Sequence, residues 1–309
     1  MVKKTKTYQL HLTNPDKILF DKHQVSKKML AEYYLQIKDW ILPHIINRPL
    51  TILRCPEGVA KPCFFQKHPN ETIPKEVSYV NFKSDGASKS YLYIKDLKGL
   101  IALIQLGALE IHIWNHTIDK MSYPDQLILD LDPDDKFSFS QIIEGAKIIN
   151  DLLQSIHLKA LLKTTGKRGL NLVIPLAKKN SQEEVLEFAK IIAKLMSSEH
   201  PKLFVATMKK SARKHRIFID YIRNAEAATF IAPYSTRATE NIGIATPISW
   251  KELSSIKSGA HYNFTNIIDR LTRLKLDPWK NFFKAKQSIN QKNWGQILTD
   301  PHKFNGDLL

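Results

Sequence analysis

The chain alternates between stretches in which apolar side chains recur with a helical period and short runs in which they recur at every second residue. Behind Ser26, the residues Met29, Leu30, Tyr33, Tyr34, Ile37 and Ile41 are spaced by three and four, which predicts a helix capped by that serine and ended by Pro43. "LTILR" (50–54) and "SYLYIK" (90–95) predict strands, and Asp96 is placed to cap a helix closed by Gly107. "EIHIW" puts Glu110, His112 and Trp114 on one strand face, with Ile111 and Ile113 on the other. "DQLILDLD" follows as a strand, then a helix from Phe139 to about Ile156 and a strand to Lys163. The turn "TTGKRG" and the strand "LNLVIP" come next, and Ser181 opens a further helix. "RIFIDYI" and "ATFIAPYSTRA" predict two more strands, the second ending at Pro233, and from Trp250 the tail predicts basic helix. With no internal repeat and no long regular βα rhythm, this order favours an α/β or α+β sandwich over a barrel.

Charge enters an apolar strand where "LILDLDPDD" (127–135) sets four aspartates into six positions. In a strand, Asp130 and Asp132 project from one face about 7 Å apart while Leu129 and Leu131 face the core. Charge inside an apolar strand is costly unless it is paired, so these two carboxylates are candidates to share a divalent cation. Asp134 and Asp135, with Pro133, read as turn residues. An EF-hand loop counted from Asp130 would need glycine and glutamate where the chain has Asp135 and Gln141, so that reading is excluded. Asp220, between Ile219 and Tyr221 in another apolar strand, is the candidate third carboxylate of a two-metal site.

Charge changes the picture. The 309 residues hold 46 Lys+Arg against 30 Asp+Glu, a net +16, and such a field attracts polyanions, nucleic acid first among them. The apolar run Leu100 to Leu109 is too short to cross a bilayer and contains Gln105, and no apolar signal core follows the lysines of "MVKKTKTYQLHL". A cytoplasmic, polyanion-facing protein is expected. Two cysteines without zinc spacing, Cys55 and Cys63, are expected as reduced, packed thiols. Any metal ligands are then oxygen donors, which points to Mg²⁺ or Mn²⁺.

Four further stretches bear on candidate chemistry. "KTTGKRG" (163–169) is a short basic turn between apolar strands whose amides, hydroxyls and cations suit a triphosphate, although it is no Walker A loop. "TMKKSARKHR", just before Asp220, could position a nucleic-acid strand through its phosphates or be a solvated face. Phe64 and Phe65 are either core residues or a platform for an unpaired base. "KSDG" (83–86) matches the adenylated-lysine signature of DNA ligases, but without the downstream paired-lysine strand Lys83 is read as a loop lysine.

The blocks "LTNPDKILF", "FFQKH", "LEIHIW", "PDQLILDLDP", "KTTGKRGLNLVIPL", "RIFIDYIRN", "APYSTRA" and "TPISWKEL" occur in an order, from about Leu10 to Leu253, that resembles the polymerase domain of bacterial ATP-dependent DNA ligase D, in the archaeo-eukaryotic primase superfamily. The resemblance implies one primase-polymerase catalytic domain over 1–309, with an N-terminal lobe of about 1–125 and a catalytic lobe of about 126–309. It further implies two β-sheets flanked by helices around an active-site cleft. It makes Asp130, Asp132 and Asp220 the ligands of two Mn²⁺ or Mg²⁺ ions, and puts His112, Thr165, Arg168, Asn171 and Arg237 on an incoming NTP or dNTP. Asn14, Lys17 and Lys27 fall at the pocket for a 5′-phosphate, and Phe64, Phe65 and Arg213 on the template side. Where the family commonly reads KTSGGKGLH, this chain has Thr165, Lys167, Arg168 and Asn171; Thr and Arg keep the hydroxyl and the charge, whereas Asn171 cannot become cationic.

The expected function is a metal-dependent nucleotidyltransferase that fills gaps and extends DNA ends, with ribonucleotides preferred, in non-homologous end joining. The implied partners are double-stranded ends, gapped DNA with a 5′-phosphate, Ku and an ATP-dependent DNA ligase, at the bacterial nucleoid and without a membrane. A non-catalytic end-binding module would share the basic surface but would not need three strand aspartates. A metal-dependent nuclease would share the aspartates but would not need a triphosphate loop.

Overall fold

The computed structural model describes residues 12–84, 87–134, 137–284, 287–290 and 293–295. Leu10, Asp135, the Asp85 and Gly86 of "KSDG", and the tail beyond 295 lie outside the described residues. A hairpin of β1 (Ile18–Phe20) and β2 (Val25–Ser26) leads into α1 (Lys27–Gln36) and α2 (Lys38–Ile45). Next come β3 (Leu50–Arg54), β4 (Phe64–Gln66), the hairpin of β5 (Ser78–Ser84) and β6 (Ala87–Tyr93), α3 (Leu97–Gln105) and β7 (Ala108–Ile113). The chain continues through β8 (Gln126–Pro133), α4 (Phe139–Ser155), β9 (Leu161–Thr164), β10 (Leu170–Pro175) and α5 (Gln182–Glu199). It ends with β11 (Phe204–Val205), β12 (Ile217–Asp220), β13 (Phe230–Ile231), β14 (Pro247–Ile248) and α6 (Ile267–Arg273).

The strands assemble mainly into a four-stranded sheet, ordered β13-β7-β3-β4, and a six-stranded sheet, ordered β11-β12-β8-β10-β9-β14. The period-two pattern explains how the second sheet is used. Leu127, Leu129 and Leu131 of β8, Leu170, Leu172 and Ile174 of β10, and Ile217 and Ile219 of β12 join one buried cluster with the apolar faces of α4 and α5. The intervening residues, including Asp130, Asn171 and Asp220, therefore point the other way. In the four-stranded sheet, Leu109, Ile111 and Ile113 of β7 enter a second cluster with α1 and α3, which turns Glu110 and His112 to the opposite face.

One buried ion pair fixes the crossing between the sheets. The Arg48 guanidinium donates to both carboxylate oxygens of Asp125 at 2.9 and 2.6 Å and to the carbonyls of Trp114 and His116, each at 3.0 Å. It thereby ties the exit of β7 to the entry of β8.

Several local signals appear as read. The Ser26 hydroxyl caps α1 by accepting from the Met29 amide, Asp96 caps α3 through the Gly99 amide, and Ser181 heads α5 with a capping box. Other expectations are corrected. The first helix breaks at Ile37, and Pro43 lies inside α2, where its missing N–H leaves out one hydrogen bond two residues before the helix ends. Met29, expected on the apolar face, is exposed. The strand at Asp220 ends on that residue and passes into a 3₁₀ turn, Tyr221–Asn224. Beyond Trp250 the described tail is mostly turns, with α6 its one α-helix longer than a single turn.

The cysteines are also corrected: Cys55 and Cys63 form a disulfide. The register supplies the reason. Arg54 pairs with Phe64 at the end of the β3–β4 ladder, so the next residues outward face each other with Cα atoms 4.4 Å apart. Closing so short a loop is worth about 2 kcal/mol. Alkylation under denaturing, non-reducing conditions is expected to label neither cysteine, and Cys63→Ser to lower unfolding free energy by about that amount. Full labelling of both in protein purified without reductant would contradict the pairing.

Candidate active site

Across the cleft-facing side of the six-stranded sheet, the register sets Lys163 opposite Asn171, Asn171 opposite Asp130, and Asp130 opposite Asp220. The result is a polar row over β9, β10, β8 and β12. The Lys163 ammonium donates to Asn171 Oδ1 at 2.6 Å, and Asn171 Nδ2 donates to Asp130 Oδ1 at 2.6 Å. A lysine can only donate and a carboxylate can only accept, so the amide has one possible orientation. Lys163 and Asn171 are fully buried. Asn171, expected on the nucleotide, lies at the cleft wall with its amide committed to this relay.

Asp132, two residues along β8, is exposed at the mouth. Asp130, Asp132 and Asp220 each offer a carboxylate oxygen, and these oxygens lie within 4.8 Å of one another. Burial, reinforced by Asp132 and Asp220, pushes the Asp130 carboxyl above its ordinary range, while Arg223 and Lys163 oppose the rise. Burial also raises Asp220, against the opposing charge of Arg223. Burial pulls the Lys163 ammonium down, with Asp130 holding it up. Three converging carboxylates with only oxygen donors fit hard divalent cations such as Mg²⁺ or Mn²⁺.

The four-stranded sheet contributes the facing wall. His112 Nε2 lies 2.8 Å from Glu110 Oε2, and Glu110 is 1% exposed. Arg237 Nε at 3.3 Å, the Lys167 ammonium at 3.7 Å and the Ala238 amide at 3.0 Å all converge on Glu110 Oε1. Burial alone would raise Glu110, but the His112 hydrogen bond and the charges of Arg237, His112 and Lys167 bring it to about 2. Burial lowers His112, with Glu110 opposing and Arg237 and Arg223 adding to the fall. As Glu110 can only accept at neutral pH, His112 carries its proton on Nε2 and leaves Nδ1 as an acceptor.

Arg237 is placed from behind. Tyr33 donates to the Tyr234 carbonyl at 2.8 Å, and the Tyr34 hydroxyl meets Thr236 Oγ1 at 3.0 Å, so α1 braces the segment that carries Arg237.

The 165–169 turn closes the cleft beside Arg237. Gly166 has φ +71°, and a Cβ there would come within 2.7 Å of Arg237 Cγ, so glycine is required for the close approach. Lys167, next in the turn, does not adopt positive φ. Three amides of the turn are spent within the protein: Gly166 donates to the Gly259 carbonyl, and Lys167 and Gly169 donate to Thr165 Oγ1. The turn offers the cleft its side chains, Lys167 and Arg168 among them.

At the edge of the four-stranded sheet, Phe64 and Phe65 are 48% and 64% exposed, which excludes the core reading. Phe65 meets His112 edge-on at 5.5 Å. The Arg213 guanidinium lies 3.7 Å above the Phe218 ring, and Phe218 is the register partner of Asp132. Asn14, Lys17 and Lys27 form a separate cluster. Asn14 turns with φ 50°, Lys17 pairs with Glu57 at 2.5 Å, and the buried Lys27 ammonium donates to the Thr13 carbonyl at 2.9 Å. Burial and Lys17 lower Lys27, with Glu57 opposing. Lys83 lies near the tip of the β5–β6 hairpin, outside the cleft lining.

Residues 26–279 match the family described as LigD, primase-polymerase domain. The chain belongs to the LigD primase-polymerase domain family. It is 30% identical over 285 residues to the multifunctional non-homologous end joining protein LigD of Pseudomonas aeruginosa, covering 92% of this chain and 34% of that protein. With the bifunctional LigD of Bacillus subtilis the identity is 31% over 280 residues, covering 90% and 45%. The chain thus spans less than half the length of these curated relatives. The polymerase domain of Mycobacterium tuberculosis ligase D, solved in complex with DNA, superposes with a TM-score of 0.82 at 28% identity, covering 90% of this chain and 99% of that one. The mixed α/β architecture expected from the sequence is that of the LigD polymerase domain.

Glu110 and Arg223 of the LigD-type cleft were not put forward as site residues from sequence, and Lys163 was read only as part of the basic turn. Each had a faint signal. Glu110 shares a strand face with His112, Lys163 is a lysine inside an apolar strand, and Arg223 follows Asp220 by three residues, within reach on a tight turn.

Proposed function

We propose that the chain is a metal-dependent nucleotidyltransferase that extends the 3′ end of a DNA strand from nucleoside triphosphates, filling gaps and ends during non-homologous end joining. The observation that carries this reading is the pairing of two unlike walls in one cleft: three converging carboxylates on one, and Arg237, His112 and the 165–169 cations on the other. Divalent ions, Mn²⁺ or Mg²⁺, held by Asp130, Asp132 and Asp220 would activate the primer hydroxyl and neutralise charge developing on the phosphates. Around them, Arg237, Lys167 and Arg168 receive the triphosphate, Thr165 shapes the turn, and His112 Nδ1 accepts a hydrogen bond from the nucleotide.

Phe64 and Phe65 offer faces for an unpaired template base, and Arg213, held over the Phe218 ring, is a template-strand contact. The whole of 1–309 is read as one catalytic domain, with lobes of about 1–125 and 126–309. Ku and an ATP-dependent ligase are the proposed partners, ribonucleotides the preferred substrates, and the nucleoid of the cytoplasm the place of work. Among the described residues, no helix is long and apolar enough to cross a membrane.

The test is a 5′-labelled primer in a gapped duplex with Mn²⁺, with and without nucleoside triphosphates. Lengthening that requires triphosphate supports a polymerase, with ribonucleotides incorporated faster than deoxyribonucleotides. Shortening without triphosphate would establish a nuclease, and tight binding without either would establish an end-binding module.

The Lys17–Lys27 cluster is proposed as the 5′-phosphate pocket, because two lysines near enough for their charges to act on each other suit a dianion. A 5′-phosphate on the downstream strand is expected to tighten binding about tenfold or more, and Lys17→Ala with Lys27→Ala to erase that preference. An unchanged preference in the double variant, measured by fluorescence anisotropy, would refute the assignment.

A further inference from the structure

Arg223 is the one guanidinium among the described residues in direct ionic contact with the aspartates of the candidate metal site. Its Nε lies 3.0 Å from Asp220 Oδ2 and 3.5 Å from Asp130 Oδ2. The other oxygen of each carboxylate already has a protein partner: Asp220 Oδ1 accepts from the Ile222 amide at 3.1 Å, and Asp130 Oδ1 accepts from Asn171. Arg223 thus pairs with the two oxygens left for a cation.

Its backbone is firmly placed, and its side chain is held by ionic contacts while remaining partly exposed. The neighbouring Asn224 is fully buried and clamps the turn to β8, accepting from the Ile128 amide at 2.8 Å and donating to the Ile128 carbonyl at 2.6 Å. The Arg223 side chain is 39% exposed, holds the Thr229 carbonyl through a long 3.3 Å bond, and borders the same cleft as Arg237 and Lys167.

We infer that Arg223 is a metal-responsive latch: it neutralises Asp130 and Asp220 until a divalent ion takes their oxygens, and its guanidinium is then released into the cleft to bind the phosphates of the incoming nucleotide. This rests on the metal-site reading given above. A guanidinium held against Asp130 Oδ2 and Asp220 Oδ2 repels an arriving divalent ion and takes up lone pairs the ion would use, so metal and arginine compete. The freed arginine, bordering the same cleft as Arg237 and Lys167, adds a bidentate phosphate donor only after metal has arrived. Metal and triphosphate binding become positively coupled, beyond the attraction of the ion itself for phosphate.

The test uses the intact chain without DNA, so that no turnover intervenes. Mn²⁺ affinity is read by electron paramagnetic resonance, and affinity for a fluorescent nucleoside triphosphate is read with and without Mn²⁺. For Arg223→Gln we expect Mn²⁺ to bind about tenfold more tightly, and the triphosphate about tenfold more weakly with Mn²⁺ but less than twofold more weakly without it. Wild-type Mn²⁺ affinity in the variant, or an equal loss of triphosphate affinity under both conditions, overturns the latch. Asp220→Asn is measured alongside: if it binds Mn²⁺ as the wild type does, the metal-site reading itself has failed, a result distinct from failure of the latch. Melting temperatures confirm that each variant is folded.

Discussion

Asp220→Asn is expected to slow nucleotide addition on a gapped duplex by about 10³-fold at saturating Mn²⁺, while DNA affinity stays level or rises. The substitution is nearly isosteric and removes one of three carboxylates set within 4.8 Å of one another. Losing a ligand that stabilises developing charge costs several kcal/mol, and each 1.36 kcal/mol is tenfold in rate. DNA affinity moves the other way because a negative charge disappears from a chain of net +16. Single-turnover extension and anisotropy on the same preparation separate the two effects. Parallel loss of rate and binding would point instead to a residue that only holds the fold.

Glu110→Gln is expected to lower unfolding free energy by about 3 kcal/mol at pH 7, and the difference should disappear near pH 2. Glu110 is buried with His112, Arg237 and Lys167 on its two oxygens, and an amide cannot neutralise that set. Its carboxyl sits at about 2, below the ordinary 4.5. A depressed folded value means the ionised form is favoured by folding. The stabilisation is therefore complete above about pH 4.5 and is lost as pH falls toward 2, at about 1.4 kcal/mol per unit. Urea unfolding of both proteins at pH 7 and pH 3 checks this, and an equal difference at both values would show that shape and not charge is at stake. The same substitution frees Arg237 from its anchor, so the KM for triphosphate should rise more than kcat falls.

The carboxylate triad was legible because charge inside apolar strands is costly and only a partner makes it tolerable. Asp130, Asp132 and Asp220 put charge into otherwise apolar strands, and register alone then brings Asp220 opposite Asp130. Helix starts at Ser26, Asp96 and Ser181 were equally legible, since each cap is a local hydrogen bond. What spacing could not supply was pairing between distant segments. The polar row from Lys163 to Asp220 exists only once β9, β10, β8 and β12 are neighbours, and Glu110 gathers cations from residues 167 and 237. The disulfide depended on the β3–β4 register. The internal pairing of the Gly166, Lys167 and Gly169 amides depended on Thr165 and Gly259. Pattern read the elements and the carboxylates, while resemblance was needed to favour polymerase over nuclease.

Asp130, Asp132 and Asp220 are proposed to hold the divalent ions that meet a triphosphate in this cleft. Crystals grown with Mn²⁺ and a non-hydrolysable nucleoside triphosphate, measured at the manganese absorption edge, test it directly. Anomalous peaks bonded to oxygens of all three aspartates, with the phosphates between them and Arg237, are the predicted result. Manganese bound elsewhere, or a triphosphate seated away from Arg237 and the 165–169 turn, would contradict it.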